Sequence, residues 1–301
     1  MLRLRLSLAV LLSAVVLAGC SDAPEHGVPG AGGTASPAES PDPSAAPTDA
    51  QGSKDERAAA RLQRLEKRLS EGIDAWLESG DPPRGPQWRE LELTGLALQK
   101  TYRWLAHNPK MARKVETHLS GNVAYKLRAN VKAARTIGAL VKPLKKPVKM
   151  KTTEPTSPKK LLRYYREAEE RFDVPWNILA SVNFIESKFG RLNGPSSAGA
   201  LGPMQFMPAT WDHYGRGDPM KPYNAIMAAA RYLSASGAPD RMRDALWAYN
   251  HSDAYVDAIQ IHARVIKQDI HNFYGYYLYQ VFVLTEDGYL QLTGPGSDYR
   301  Y

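Results

Sequence analysis

Residues 184–211 read "FIESKFGRLNGPSSAGALGPMQFMPATW", and the only acid among them is Glu186. Upstream, Ile178, Leu179, Val182 and Ile185 share one face at helical spacing. That helix is expected to pack deeply and to end near Gly190, with Glu186 at the border of its apolar face. A carboxyl at such a border is partly desolvated, which disfavours the charged form and raises its pKa. A carboxylic acid still protonated near neutral pH is what glycosidic cleavage requires, because the leaving oxygen must receive a proton. The competing reading is a capped or salt-bridged surface glutamate.

Outward from this stretch the pattern is helical. Ser157-Pro158 offers a hydroxyl cap and a first-turn proline, and Leu161, Leu162, Tyr165, Ala168 and Phe172 give the helix that follows its apolar face. Further helices are expected from Pro208, over 224–235, over 239–249 and over 253–270. On the N-terminal side, Leu62, Leu65, Leu69, Ile73 and Trp76 mark one helix, stopped by Gly80-Asp81-Pro82-Pro83. Leu91, Leu98, Tyr102 and Leu105 mark a second, ended at Asn108-Pro109. Val123, Leu127, Val131, Ala134 and Ile137 mark a third. This region, 54–141, shows no catalytic constellation, with His107 and His118 isolated; it reads as a spacer, a packing module or a partner surface. Lysines and prolines over 142–158 read as a linker or exposed loop. The aromatic and β-branched runs around Glu286-Asp287-Gly288 read as a β-hairpin within a 271–301 extension. The expected class is mainly α, with a helical catalytic segment over 159–270.

The first 53 of the 301 residues contribute no core. Arg3 and Arg5 precede an apolar run over 6–17 that is too short to span a bilayer comfortably, and Leu17-Ala18-Gly19-Cys20 closes it. Cys20 is the only cysteine, so no internal disulfide is available. The stretch 1–20 resembles the signal and lipobox of bacterial lipoproteins, which implies lipidation at Cys20, export, and a membrane-anchored location facing the cell wall. Residues 21–53, rich in Pro, Gly, Ala and Ser, read as a flexible tether. The formal charge of +8 falls by two, to +6, when Arg3 and Arg5 leave with the leader. For an exported chain this basic excess suits anionic lipid or wall polymer rather than nucleic acid. No Cys/His cluster or HExxH motif suggests a metal, and no cofactor is expected.

Three motifs then follow in order: Glu186-Ser187; Ser196 with Gly199, Ala200 and Gly202, leading into Met204-Gln205-Phe206-Met207-Pro208-Ala209-Thr210; and Ala248-Tyr249-Asn250-His251-Ser252. Together they resemble the lytic transglycosylase (SLT, goose-type lysozyme-like) domain of bacterial peptidoglycan-cleaving enzymes, over well under half the chain. "GPMQFMPATW", "AYNHSDAYV" and the tail "NFYGYYLYQVFV" look more like the branch that holds membrane-bound type B and actinobacterial lipoprotein forms. The resemblance implies that Glu186 is the catalytic acid/base and that Ser196 lies near the reacting sugar. It implies that Gln205 and Met207 line the glycan cleft, that the Tyr249 hydroxyl faces the acid, and that Asn250 is its neighbour. Glycines 199 and 202 would permit close backbone approach at the cleft wall. His251-Ser252 departs from the Ala-Gly of many soluble relatives, which bears on cleft contacts and not on the chemistry.

A standard inverting or retaining glycosidase needs two carboxylates, and the nearest downstream acids, Asp212 and Asp218, carry no such motif. The resemblance therefore implies a single-acid reaction on the bond between N-acetylmuramic acid and N-acetylglucosamine, leaving a 1,6-anhydro end. A hydrolytic muramidase of the same fold and a non-catalytic glycan-binding lipoprotein, scaffolding wall-synthesis or remodelling proteins, remain alternatives.

Overall fold

The structure, a computed structural model, describes residues 52–80, 85–145, 150–196 and 198–297. The leader, Cys20 and the tether up to residue 51 lie outside the described residues. Helix α6 (Trp176–Ser187) is the axis of the fold. Its expected apolar residues are buried, but so are Asn177, Ala180, Ser181, Asn183, Phe184 and Ser187. A helix covered on all sides belongs to a core rather than to a surface. Around it stand α5 (Pro158–Phe172) and α8 (Pro222–Ala235), with the short α7 (Pro208–Tyr214) and α9 (Met242–Tyr249) on the cleft side, and α10 (Asp253–Gln268) packed along α6. Ser157 stands at the start of α5, but its hydroxyl makes no cap bond.

The N-terminal region forms α1 (Lys54–Glu78), α2 (Pro86–His107), α3 (Pro109–Thr117) and α4 (Gly121–Gly138). Ser53 closes α1 with a capping box to Glu56. Pro109 ends α2 and starts α3, a helix that its sparse apolar residues do not announce. The buried face of α4 runs through Ala124, Leu127, Asn130, Ala133 and Ile137, so Val123, Val131 and Ala134 sit at its margin. This region is no detached spacer. Helix α4 lies against α10, α2 against α1 and α4, and α1 against α11 (Ile270–Tyr277), and one apolar core links Leu62, Leu105, Leu127, Leu179, Ile259 and Phe273. The 142–158 segment exposes Lys142, Lys145 and Lys151 yet is pinned on either side: Leu144 N–H donates to Leu284 O (2.9 Å), and Thr153 N–H to Arg191 O (2.9 Å).

The expected long helix over 253–270 breaks at Asp269, whose backbone is extended and whose side chain caps His271 N–H. Helix α11 follows, where the sequence reading placed the start of a β-extension. Phe273, Tyr274, Tyr276 and Tyr277 point into the core from several sides of that helix, and burial outweighs their strand propensity. The hairpin itself is confirmed as β1 (Phe282–Thr285) and β2 (Gly288–Gln291), antiparallel with Thr285 opposite Gly288. No helix among the described residues is long and apolar enough to cross a membrane.

One buried ion pair ties α1 to α4. Glu66, 6 % exposed, accepts from Lys126 Nζ (2.7 Å) and from the Tyr102 hydroxyl (2.5 Å). Lys126→Met leaves that carboxylate without its cation and is expected to cost about 3–5 kcal/mol. Urea unfolding measures this, and the loss should appear in a single transition shared by both halves.

Candidate active site

Glu186 is the penultimate residue of α6, so its carboxyl meets the negative end of the helix dipole as well as an apolar surround. The residue keeps some contact with solvent, while burial of the carboxyl raises its pKa from 4.5 to about 7. Two neighbours oppose that rise. The Tyr255 hydroxyl of α10 donates to Glu186 Oε1 at 2.7 Å, and the Lys188 ammonium favours the anion. Among the described residues no carboxylate is one of the groups that set the Glu186 pKa. Asp212 is exposed on α7, and Asp218 accepts from Met220 N–H (2.8 Å) as a turn residue.

The hydroxyl facing the acid is thus that of Tyr255, not Tyr249. Tyr249 donates instead to Met204 O at 2.7 Å, and its ring lies parallel to that of Tyr255, 6.5 Å between centroids. The linear motif does not single out Tyr255, although the "AYNHSDAYV" run holds it. The register is the reason: Ser252 caps α10 by accepting from Tyr255 N–H, which sets Tyr255 in the first turn and directs its fully buried ring toward α6.

Ser187 places the acid relative to the Met-Gln-Phe-Met loop. Its hydroxyl donates to Pro203 O (2.6 Å) and accepts from Gly190 N–H (2.8 Å). The loop doubles back through a Leu201–Phe206 bridge, with Gln205 in the left-handed region (φ 51°) and its side chain on Gly202 O. Gly202 is obligatory here: a Cβ would stand 2.0 Å from Pro219 O, and its φ is 71°. Gln205, Met207 and Tyr249 line one cavity of about 120 Å³ with Thr210, Tyr232 and His251. Ser196 is not part of that lining; its hydroxyl accepts from Ala198 and Ala200 N–H and fixes its own loop. Asn250 caps α9, and its Oδ1 is buried with no hydrogen-bond partner. His107 and His118 are engaged elsewhere, on Arg103 O and Asp55. Among the described residues no three His, Cys, Asp or Glu side chains could together hold a metal ion.

Residues 163–264 match the Transglycosylase SLT domain family. A curated relative, the membrane-bound lytic murein transglycosylase F of Thiobacillus denitrificans (strain ATCC 25259 / T1), is 30 % identical over 105 residues, which is 32 % of this chain and 22 % of that protein. The chain therefore spans about a fifth of the length of the relative it matches. That relative is of type F, so the type B and actinobacterial expectations rest on the sequence wording alone. No solved structure matches. The matched segment runs from α5 into α10 and contains Glu186, the cavity loop, Tyr249 and Tyr255.

The raised pKa fixes the sign of a stability effect. The folded state holds a proton on Glu186 that the unfolded chain releases near pH 4.5, so this group disfavours folding increasingly as pH rises toward 7. Glu186→Gln keeps an acceptor for Tyr255 and removes the penalty. Its melting temperature should exceed that of the wild type, and the stability gain should be about 2 kcal/mol larger at pH 8 than at pH 5. Thermal unfolding at the two pH values measures it.

Proposed function

We propose that the chain is a lytic transglycosylase that cleaves the glycan strands of peptidoglycan, with Glu186 as its only catalytic carboxylate. The observation that carries this reading is a buried acid, its pKa raised to about 7, beside a tyrosine hydroxyl, with no second carboxylate among the described residues acting on it. The domain match and the relative's name point the same way.

In the proposed reaction, protonated Glu186 donates to the oxygen that links C1 of N-acetylmuramic acid to N-acetylglucosamine, and the C1–O bond breaks. The substrate's N-acetyl group stabilises the cationic centre. Ionised Glu186, held by the Tyr255 O–H, then takes the proton of the C6 hydroxyl as that oxygen bonds to C1. The product is a 1,6-anhydro sugar and no water is consumed. The nucleophile belongs to the same ring, so its effective concentration is high without a protein group to position it. One residue must act as acid and then as base, and a pKa close to the working pH serves both steps. Gln205, Met207 and Tyr249 would hold the strand along the cavity, with Ser196 and Asn250 fixing the neighbouring loop and helix end rather than lining it. Attachment through lipidated Cys20, outside the cytoplasm, belongs to the same reading; Cys20→Ala should release the protein from membranes.

Digestion of purified peptidoglycan by the full chain should yield sugar ends lighter by one water, identified by mass spectrometry. Glu186→Gln should lower the rate about 10²–10⁴-fold. Reducing ends would instead show a hydrolase, and no products alongside an active control enzyme would show a binding protein. Because Tyr255 favours the anion, Tyr255→Phe should move the fall of kcat/KM at rising pH upward from about 7. An unmoved profile would remove Tyr255 from the account.

A further inference from the structure

A second cavity, of about 60 Å³, opens where α2, α4, α6, α10 and the hairpin meet. It shares no lining residue with the Gln205–Tyr249 cavity. Its wall contains Arg103, Lys188 and His262, the apolar Ala133, Ala134 and Ile137 of α4, and neither an Asp nor a Glu.

Lys188 is 6 % exposed and forms no ion pair among the described residues. Its Nζ donates to Phe184 O (2.9 Å) and stands 4.2 Å from that residue's ring centroid, leaving two ammonium protons for other acceptors. Burial, then the nearby Arg103 charge, pushes its pKa down to about 7. His262 is 7 % exposed, with its ring centroid 4.9 Å from those of Phe184 and Tyr276, and its Nδ1 has no hydrogen-bond partner. Burial, then Lys188, lowers its pKa to about 3, so the ring is neutral at pH 7. The Arg103 guanidinium lies 4.1 Å from the ring centroids of both Phe282 and Tyr289. Rings against its faces direct recognition to its planar N–H edge, part of which is already engaged by the Tyr289 side chain; the fork geometry of that edge suits a carboxylate.

Two cations that disfavour each other's charge, and a buried imidazole nitrogen without a partner among the described residues, thus converge on a cavity whose wall holds no carboxylate; the anion acting on Lys188 is Glu186, outside that wall. Water could fill the space and satisfy the nitrogen, but it brings no negative charge. We propose that this cavity binds a small carboxylate with a short aliphatic body, the carboxylate held by Lys188, Arg103 and the His262 ring, and the body against Ala133, Ala134 and Ile137. The volume suits a ligand of roughly four to six heavy atoms. A bound anion would hold Lys188 in its charged form two residues from Glu186.

The probe is propionate, titrated at neutral pH into the full chain with ¹⁵N-labelled histidine; the His262 signal is assigned by its absence in His262→Gln. The expected result is a saturable shift of that signal with a Kd of about 1 mM or tighter. Binding should weaken at least tenfold in Lys188→Met and in Arg103→Gln, and propionamide, equal in shape but uncharged, should have no effect. A non-saturating response, or an equal response to propionamide, would show that the cavity holds only water. Equal displacement by inorganic phosphate would overturn the carboxylate class. Should either variant fail to fold, the wild-type comparison of propionate with propionamide decides alone. The readout needs no glycan cleavage, so this proposal and the proposed activity can fail separately.

Discussion

The structure turns on one conflict: a carboxyl carried by a helix that has almost no place for charge. Helix α6 is buried on nearly every side, and Glu186 comes at its penultimate position, against the negative end of the dipole. Desolvation drives the proton on; the single short bond from Tyr255 and the charge of Lys188 draw it off. The balance falls near neutrality, where a modest change in either direction changes the protonation state. Weakening the desolvation would leave an ordinary glutamate, ionised and unable to protonate a leaving group. Removing the tyrosine would leave an acid reluctant to give up its proton and slow to act later as base.

The N-terminal helices bear on that balance without touching the reacting groups. They close the core behind α6, and α2 and α4 supply Arg103 and the apolar wall around Lys188. The dielectric surround of the Glu186–Lys188 segment is therefore built partly by α2, whose Arg103 is more than 80 positions away in the chain, and by α4, whose wall residues are about 50 away. This gives the 54–141 region a physical reason to pack against the catalytic helices, where the sequence alone left spacer, packing and partner roles open.

Much of this was legible from spacing. The apolar run before Glu186, the Pro-started helices at Pro158 and Pro208, the stop after Trp76 and the hairpin at Glu286-Asp287 all follow from local rules and appear as expected. The misreadings share a cause. Helix α11 lies in the 271–301 extension, where no helix was expected, because its aromatic residues are there for burial, and burial depends on partners distant in sequence. Likewise Tyr249 and Tyr255 look equally suited to face the acid in a linear motif. The cap at Ser252 and the packing of α10 on α6 decide between them, and neither is visible as spacing. Gln205 and Met207 came from the motif resemblance, and the loop brings both into the wall of one cavity. Lys188 carried no signal, since a lysine after a helix end ordinarily faces solvent.

The central claim is that Glu186 is held as an acid near neutral pH, and titrating that one carboxyl tests it most directly. In full-length protein carrying ¹³C-labelled glutamate, the signal that vanishes in Glu186→Gln identifies the carboxyl carbon, and its shift is followed from pH 4 to 9. A midpoint near 7, about two and a half pH units above an ordinary glutamate, is the predicted result. A midpoint near 4.5 would contradict the account, because Glu186 would then be ionised at neutral pH and the single-acid reaction would lose its proton donor.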